Sequence, residues 1–147
     1  MKNVFCGLVI ALMITGSCYA CETPEELMDN YFNDFNSQDI IMIERNFSFP
    51  LMVLQNGKKT IHNDISTFLN FKKIKKTGWN RSVINSFTLP IKKDKSAIIQ
   101  LNFSRLNNDG NIYLTSDVNY ILIKENEHWY ISGIIIDNDI PLGLENN

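Results

Sequence analysis

The chain has 147 residues, 44% of them hydrophobic, with 14 basic and 16 acidic side chains, which is enough for one domain around one core and too little for two. Residues 1–20 carry a single charged side chain, Lys2, so without them the formal net charge moves from −2 to −3. A mildly acidic domain is a poor match for non-specific phosphate binding, so no nucleic-acid partner is expected.

At the N-terminus, Lys2 precedes the apolar run Val4 to Ile14, followed by the small and polar stretch Thr15-Gly16-Ser17-Cys18-Tyr19-Ala20. That order predicts a secretory signal peptide over residues 1–20, because a spanning helix needs about 20 consecutive apolar residues. A single domain over 21–147 follows, secreted or periplasmic. The alternative is a membrane-anchored lipoprotein through Cys18 or Cys21, although neither cysteine has the usual Leu three positions before it. Cleavage after Ala20 removes Cys6 and Cys18 and leaves Cys21 alone, which excludes a disulfide framework and a thiolate metal site. His62 and His128 have no ligand spacing around them, so each is expected on the surface or in a loop, and no metal is expected. The Asn-x-Ser sequons at Asn46, Asn80 and Asn102 are read as coincidence.

Thr23-Pro24-Glu25-Glu26 predicts a helix start, with Thr23 as cap, Pro24 in the first turn and two acids at the positive end of the dipole. Leu27, Tyr31 and Phe35, with Met28 and Phe32 beside them, make one apolar stripe that carries the helix to about Asn36. Ser37-Gln38-Asp39 restarts the pattern, and Ile40, Ile43, Asn46 and Phe47 predict a short second helix ending before Pro50. Leu51 to Leu54 reads as a strand, turned by Asn56-Gly57 into Lys58 to Ile61. A third helix is expected from Asn63 through Ile65, Phe68, Leu69, Lys72 and Lys73, stopped by Gly78. From Trp79 the period changes to two, and four long strands are predicted over Ser82 to Leu89, Lys95 to Leu106, Gly110 to Lys124 and His128 to Asp137. Three helices followed by a meander of antiparallel strands is an α+β layout, with a curved sheet wrapped round the first helix.

Several segments in this order resemble one superfamily. They are Gln38-Asp39-Ile40 between the first two helices, Phe49-Pro50 entering the first strand, Asn63-Asp64-Ile65 opening the third helix, and the closing Tyr120-Ile121-Leu122 with His128-Trp129-Tyr130-Ile131. Together they are similar to the NTF2-like superfamily, which includes SnoaL-like proteins and ketosteroid isomerases. Trp79-x-x-Ser82-x-Ile84 and Phe103-Ser104-Arg105-x-Asn107-x-x-Gly110 resemble a poorly characterised exported branch of it. The resemblance implies a cone-shaped α+β fold with a pocket at the open end, commonly a homodimer through the outer sheet face.

Ketosteroid isomerase chemistry needs a carboxylate base and two donors inside an apolar cavity. Aligned with that family, Tyr31 falls at the tyrosine donor and Leu54 roughly where the base belongs, and Leu cannot take a proton. The candidate base is then Asp117, with Tyr31 or Asn119 as donor. A three-residue loop at Glu125-Asn126-Glu127 would put Tyr113, Thr115, Asp117, Asn119 and Ile121 on the concave Trp129 face, whereas a two-residue loop would move Asp117 outside; the residues leave this register open. Arg105 is in phase with Ala97, Ile99, Leu101 and Phe103 and ends an apolar face, so it calls for an anionic partner, Asp117 in preference to a ligand. The candidate pocket comprises Tyr31, Phe35, Trp79, Arg105, Asp117, Asn119 and Trp129.

Lys72, Lys73, Lys75 and Lys76 close the third helix and suit the negative end of its dipole. No phosphate-binding Gly loop or nucleophile elbow occurs, and no cofactor is expected. The last strand places Tyr130, Ser132, Ile134 and Ile136 on one face, and three consecutive Ile residues leave neither face polar, so a second copy is expected to cover the outer one. The leading expectation is an exported domain that holds a small apolar ligand in its cone and dimerises. The alternatives are a lyase or isomerase using Asp117 and an envelope accessory domain that binds a partner.

Overall fold

A computed structural model describes residues 22–137. The expected signal peptide, its cleavage site and Cys6, Cys18 and Cys21 lie outside the described residues. The first helix, α1 (Pro24–Ser37), starts where the cap predicts: the Glu26 amide donates to Thr23 Oγ1, and the Thr23 amide donates back to the Glu26 carboxylate, the reciprocal box that satisfies two first-turn donors. Its buried stripe is Leu27, Met28, Tyr31, Phe32 and Phe35. Gln38 ends it in the left-handed region, and Asp39 then caps the short α2 (Ile40–Glu44) by accepting from the Ile41 and Met42 amides.

The strand β1 (Phe47–Gln55) begins four residues earlier than its apolar run suggests. Phe47 pairs with Ile131, and the ladder breaks before it resumes at Met52, so Pro50 falls where no ladder N–H is needed. Asn56 and Gly57, both at positive φ, turn the chain into β2 (Lys58–His62). The expected third helix is two pieces. Asp64, not Asn63, caps a single 3-10 turn over Ile65–Thr67, and Asn70 caps the separate α3 (Phe71–Lys75) by accepting from the Lys73 amide. An Asn whose side chain competes for backbone amides favours a cap over a helix interior, and here it starts a new helix.

Four long strands complete the sheet: β3 (Arg81–Lys92), β4 (Ser96–Leu106), β5 (Ile112–Glu125) and β6 (His128–Ile136). The strand order is β2-β1-β6-β5-β4-β3, antiparallel throughout except for the β1/β6 pair. The strand β3 runs through Pro90 because it is an edge strand and its pairing is irregular between Thr88 and Ile91. The helix α1 packs across the concave face, with Phe32 edge-on to Phe103 at 6.1 Å and Tyr31 edge-on to Tyr120 at 5.9 Å.

Two registers correct the sequence expectation. Glu125 pairs with His128, so the last hairpin has a two-residue loop, Asn126-Glu127, with both residues at positive φ. The concave residues of β5 are therefore Ser116, Val118, Tyr120 and Leu122, and Thr115, Asp117, Asn119 and Ile121 face outward. A second shift in pairing, between Ile121 and Leu122, leaves Ser132 opposite nothing and changes the phase of β6. Ile131, Ile134 and Ile136 are all buried, so Ile134 and Ile136 do not share a face with half-buried Tyr130.

Candidate functional site

Between α1 and the sheet lies a cavity of about 30 Å³. The helix α1 contributes Tyr31, Phe32 and Phe35, and the stretch before α3 contributes Phe68 and Leu69. The sheet supplies Ser82, Phe103, Arg105, Val118, Tyr120 and Ile136. Periodicity explains seven of these: the α1 residues lie on its buried stripe, and Phe103 with Arg105, like Val118 with Tyr120, are two apart on one strand face. Among the described residues the lining contains no Asp, Glu or His.

The polar groups of this wall gather around Arg105. It is 3% exposed, and its guanidinium carbon lies 5.9 Å from the centre of the Phe103 ring. Burial pulls its pKa down, while the neighbouring hydroxyls of Tyr113, Tyr31 and Tyr120 favour the charge. Burial pushes the Tyr31 phenol up to about 12, against the opposing pull of Arg105 and of the adjoining Tyr120 hydroxyl. Tyr120 is raised well above its ordinary range by burial and by Tyr31. Both phenols are thus protonated donors across the physiological range. Tyr113 reaches the rim, where its hydroxyl meets Thr77 Oγ1 at 2.9 Å and ties the end of α3 to β5.

Of the residues expected at the pocket, Tyr31, Phe35 and Arg105 line this cavity. Trp79 is buried behind it, edge-on to Phe35 at 5.3 Å, with its indole N–H donating to Ser82 Oγ at 3.0 Å. Trp129 is also buried, but it lines an outer groove with residues of α1 and α2. Asp117 and Asn119 are on the opposite face of the sheet: Asp117 is exposed and accepts from Asn102 Nδ2 at 2.8 Å, and Asn119 pairs with Gln100 and Ile135. The expected Arg105–Asp117 pair is therefore not formed, because the two-residue hairpin puts the partners on opposite faces. Asp117 and Asn119 do not meet Tyr31 for the same reason. Leu54 is half-buried and follows Val53, which is fully buried, so the position aligned with the isomerase base also points away from the cavity. His62 is buried rather than surface, with its ring 5.7 Å from Phe68, and burial lowers its pKa; His128 is exposed.

Tyr120, Val118 and Phe103 were legible as cavity residues only through the register. Their signal was the apolar alternation Val118, Tyr120, Leu122 against Asp117 and Asn119. No group of three or more potential metal ligands occurs among the described residues, and no described helix is long and apolar enough to cross a membrane.

The family profile described as NTF2-like protein (DUF6841) matches residues 22–139. Comparison with curated proteins produces no match. Among solved structures, an NTF-2 like protein of unknown function from Shewanella oneidensis MR-1 superposes with a TM-score of 0.60 at 13% identity, covering 78% of this chain and 95% of that one. A candidate ketosteroid isomerase from Shewanella frigidimarina NCIMB 400 has a TM-score of 0.58 at 9% identity, over 79% of this chain and 96% of its own. A protein from Catenulispora acidiphila, solved in complex with S-DNPA, has a TM-score of 0.60 at 8% identity, over 78% and 90%. At these identities the likeness establishes the fold.

Proposed function

Since the chain belongs to the NTF2-like family DUF6841, we propose that it is an exported binding domain that holds a small, largely apolar ligand in its cone and self-associates through the convex sheet face. The observation that carries the ligand reading is the cavity itself, walled by aromatic side chains and, among the described residues, lacking any carboxylate or imidazole to move a proton. The S-DNPA complex of the Catenulispora protein supports the idea that this fold can accept a small molecule. Xenon is the smallest apolar probe of the site: under pressure it should shift the methyl resonances of Val118 and Ile136, and silence at both would overturn the ligand reading.

Support for self-association comes from register. Ile61, Met52, Gly133, Ile121, Ile98 and Ile91 follow one another across all six strands on the convex face. Ile61 and Ile91 are exposed and the Met and two central Ile half-buried, leaving an apolar row of the kind that marks an interface. Sedimentation at micromolar concentration should find a dimer that Ile121→Asp converts to a folded monomer. A monomeric parent protein would refute this part. Export rests on Lys2, the Val4 to Ile14 run and Ala20. A mature mass starting at Cys21 supports it, and a diacylglycerol increment would replace secretion with an anchor.

A further inference from the structure

A second concavity lies outside the cone. Residues of α1, α2 and the start of β6 enclose a groove of about 380 Å³, large enough for a small molecule. Its apolar wall is Leu27, Met42 and Trp129, and its polar floor is Asn46, only 6% exposed. The Asn46 Nδ2 donates to Asp34 Oδ2 at 2.8 Å and to the Met42 carbonyl at 3.0 Å. Both amide protons are thereby used and the orientation of the amide is fixed, while its Oδ1 has no donor among the described residues. An unmet acceptor on so buried a side chain calls for a donor from outside the chain. The sign of that donor follows from Asp34, whose carboxylate lines the same groove and gives only Oδ2 to Asn46. The other carboxylate of the groove, Glu22, already accepts from Asn30 and from the Trp129 amide. Arg45, next in sequence to Asn46, is exposed and spends one N–H on the Met42 sulfur at 3.3 Å, a weak acceptor. No ion pair joins Arg45 to Asp34. The groove therefore holds an open pair of acceptors with a negative charge and, apart from them, an open donor fork with a positive one. A ligand of single charge satisfies one and leaves the other; a zwitterion satisfies both, through charge-assisted bonds about twice as strong as neutral ones.

We propose that this groove binds a free α-amino acid with an apolar side chain, its ammonium on Asn46 Oδ1 and Asp34, its carboxylate on Arg45, and its side chain against Leu27, Met42 and Trp129. The site uses neither the cone nor the convex face, so its test stands apart from theirs. That test is an NMR titration with L-leucine, following the Asn46 side-chain amide protons and the Trp129 indole N–H. Two relatives of leucine each lack one charge: 4-methylpentanoate has no ammonium and 3-methylbutylamine has no carboxylate. At fixed pH and ionic strength, L-leucine should saturate the shifts at a concentration at least tenfold below either relative. Asp34→Asn should weaken leucine tenfold or more without moving 4-methylpentanoate, and Arg45→Gln should weaken leucine as much without moving 3-methylbutylamine. Arg45 is exposed, so its variant should fold and decides alone should Asp34→Asn unfold. Equal responses to the three compounds, leucine shifts at Val118 and Ile136 of the cone but not at Asn46, or an Arg45→Gln that binds leucine unchanged would each overturn the proposal. So would silence of Asn46 and Trp129 at about 50 mM leucine, well above a millimolar Kd.

Discussion

Asn36 fastens the helix to the sheet edge beside the cavity, and replacing it by Ala tests whether that fastening holds the site open. Its Nδ2 donates to the Ser82 carbonyl at 2.8 Å and its Oδ1 accepts from the Ser82 amide at 2.7 Å. The strand β3 is an edge strand, so some of its backbone groups have no ladder partner, and Asn36 takes both of those on Ser82. Ser82 is 4% exposed. Two hydrogen bonds at about 1 kcal/mol each, plus a partial penalty for two buried groups left unmet, come to about 3 kcal/mol. Ala is the better helix former by about 0.6 kcal/mol, so the net loss should be about 2–2.5 kcal/mol. The control is Asn30→Ala on the same helix, where an exposed Asn donates only to the Glu22 carboxylate at 3.2 Å. It carries the same propensity gain and should stay within about 0.5 kcal/mol of the parent protein. Urea denaturation should separate the two variants by about 2 kcal/mol, and Tm by roughly 6–12 °C. Because Ser82 Oγ accepts from the Trp79 indole, Trp79 emission should shift to the red in the native baseline of Asn36→Ala alone. Two variants of equal stability would refute the reasoning.

The remaining predictions concern the phenols and the convex row. Tyr31 ionises near 12 in the folded chain against 10.0 for a free phenol, so its contribution to stability is complete below pH 10 and is lost as pH rises from 10 to 12, on the order of 2–3 kcal/mol. Absorbance at the phenolate band, read against unfolding by circular dichroism, should show Tyr31 and Tyr120 ionising only as the fold is lost, and Tyr31→Phe should flatten the alkaline fall in stability. A Cβ added at Gly133 would stand 3.0 Å from Ile121 Cδ1, so Gly133→Ala should cost about 1 kcal/mol. Ile121→Val, which removes that Cδ1, should restore part of the loss in the double variant, whereas purely additive effects in urea would count against the contact.

Much of the fold was legible because several layers of the sequence agree. Thr23, Pro24 and Glu26 specify the start of α1 in three independent ways, and the stripe from Leu27 to Phe35 faces one sheet in the structure as its spacing predicts. Where a reading failed, a local choice was decided by a side chain or by pairing. Asn63 and Asp64 are adjacent cap candidates, and only folding shows that Asp64 takes the Thr67 amide. Phe47 joins β1 because Ile131 is beside it, a partner 84 positions away that no window of sequence reveals.

The site depended on one turn. Hairpin loops with two central residues at positive φ usually announce themselves by Asn-Gly, as Asn56-Gly57 does. Asn126-Glu127 adopts the same geometry without the glycine, at φ 49° and 67°. The cost of placing Glu in the left-handed region is offset by what the register secures. One residue of slip exchanges every side chain between faces. The observed register puts Val118, Tyr120 and Leu122 under α1 and Asp117, Asn119 and Ile121 outside; the alternative would bury Asp117 and Asn119 in an aromatic core and expose Tyr120 and Leu122. Burying a carboxylate without a compensating cation is the largest single penalty in that comparison. Arg105 would not have relieved it cheaply, since it is already engaged with the Tyr113 hydroxyl and lies over Phe103. The loop carries a small local strain so that the cavity keeps a cation and two phenols and no carboxylate among its described lining, a composition set by register and not by any motif in the chain.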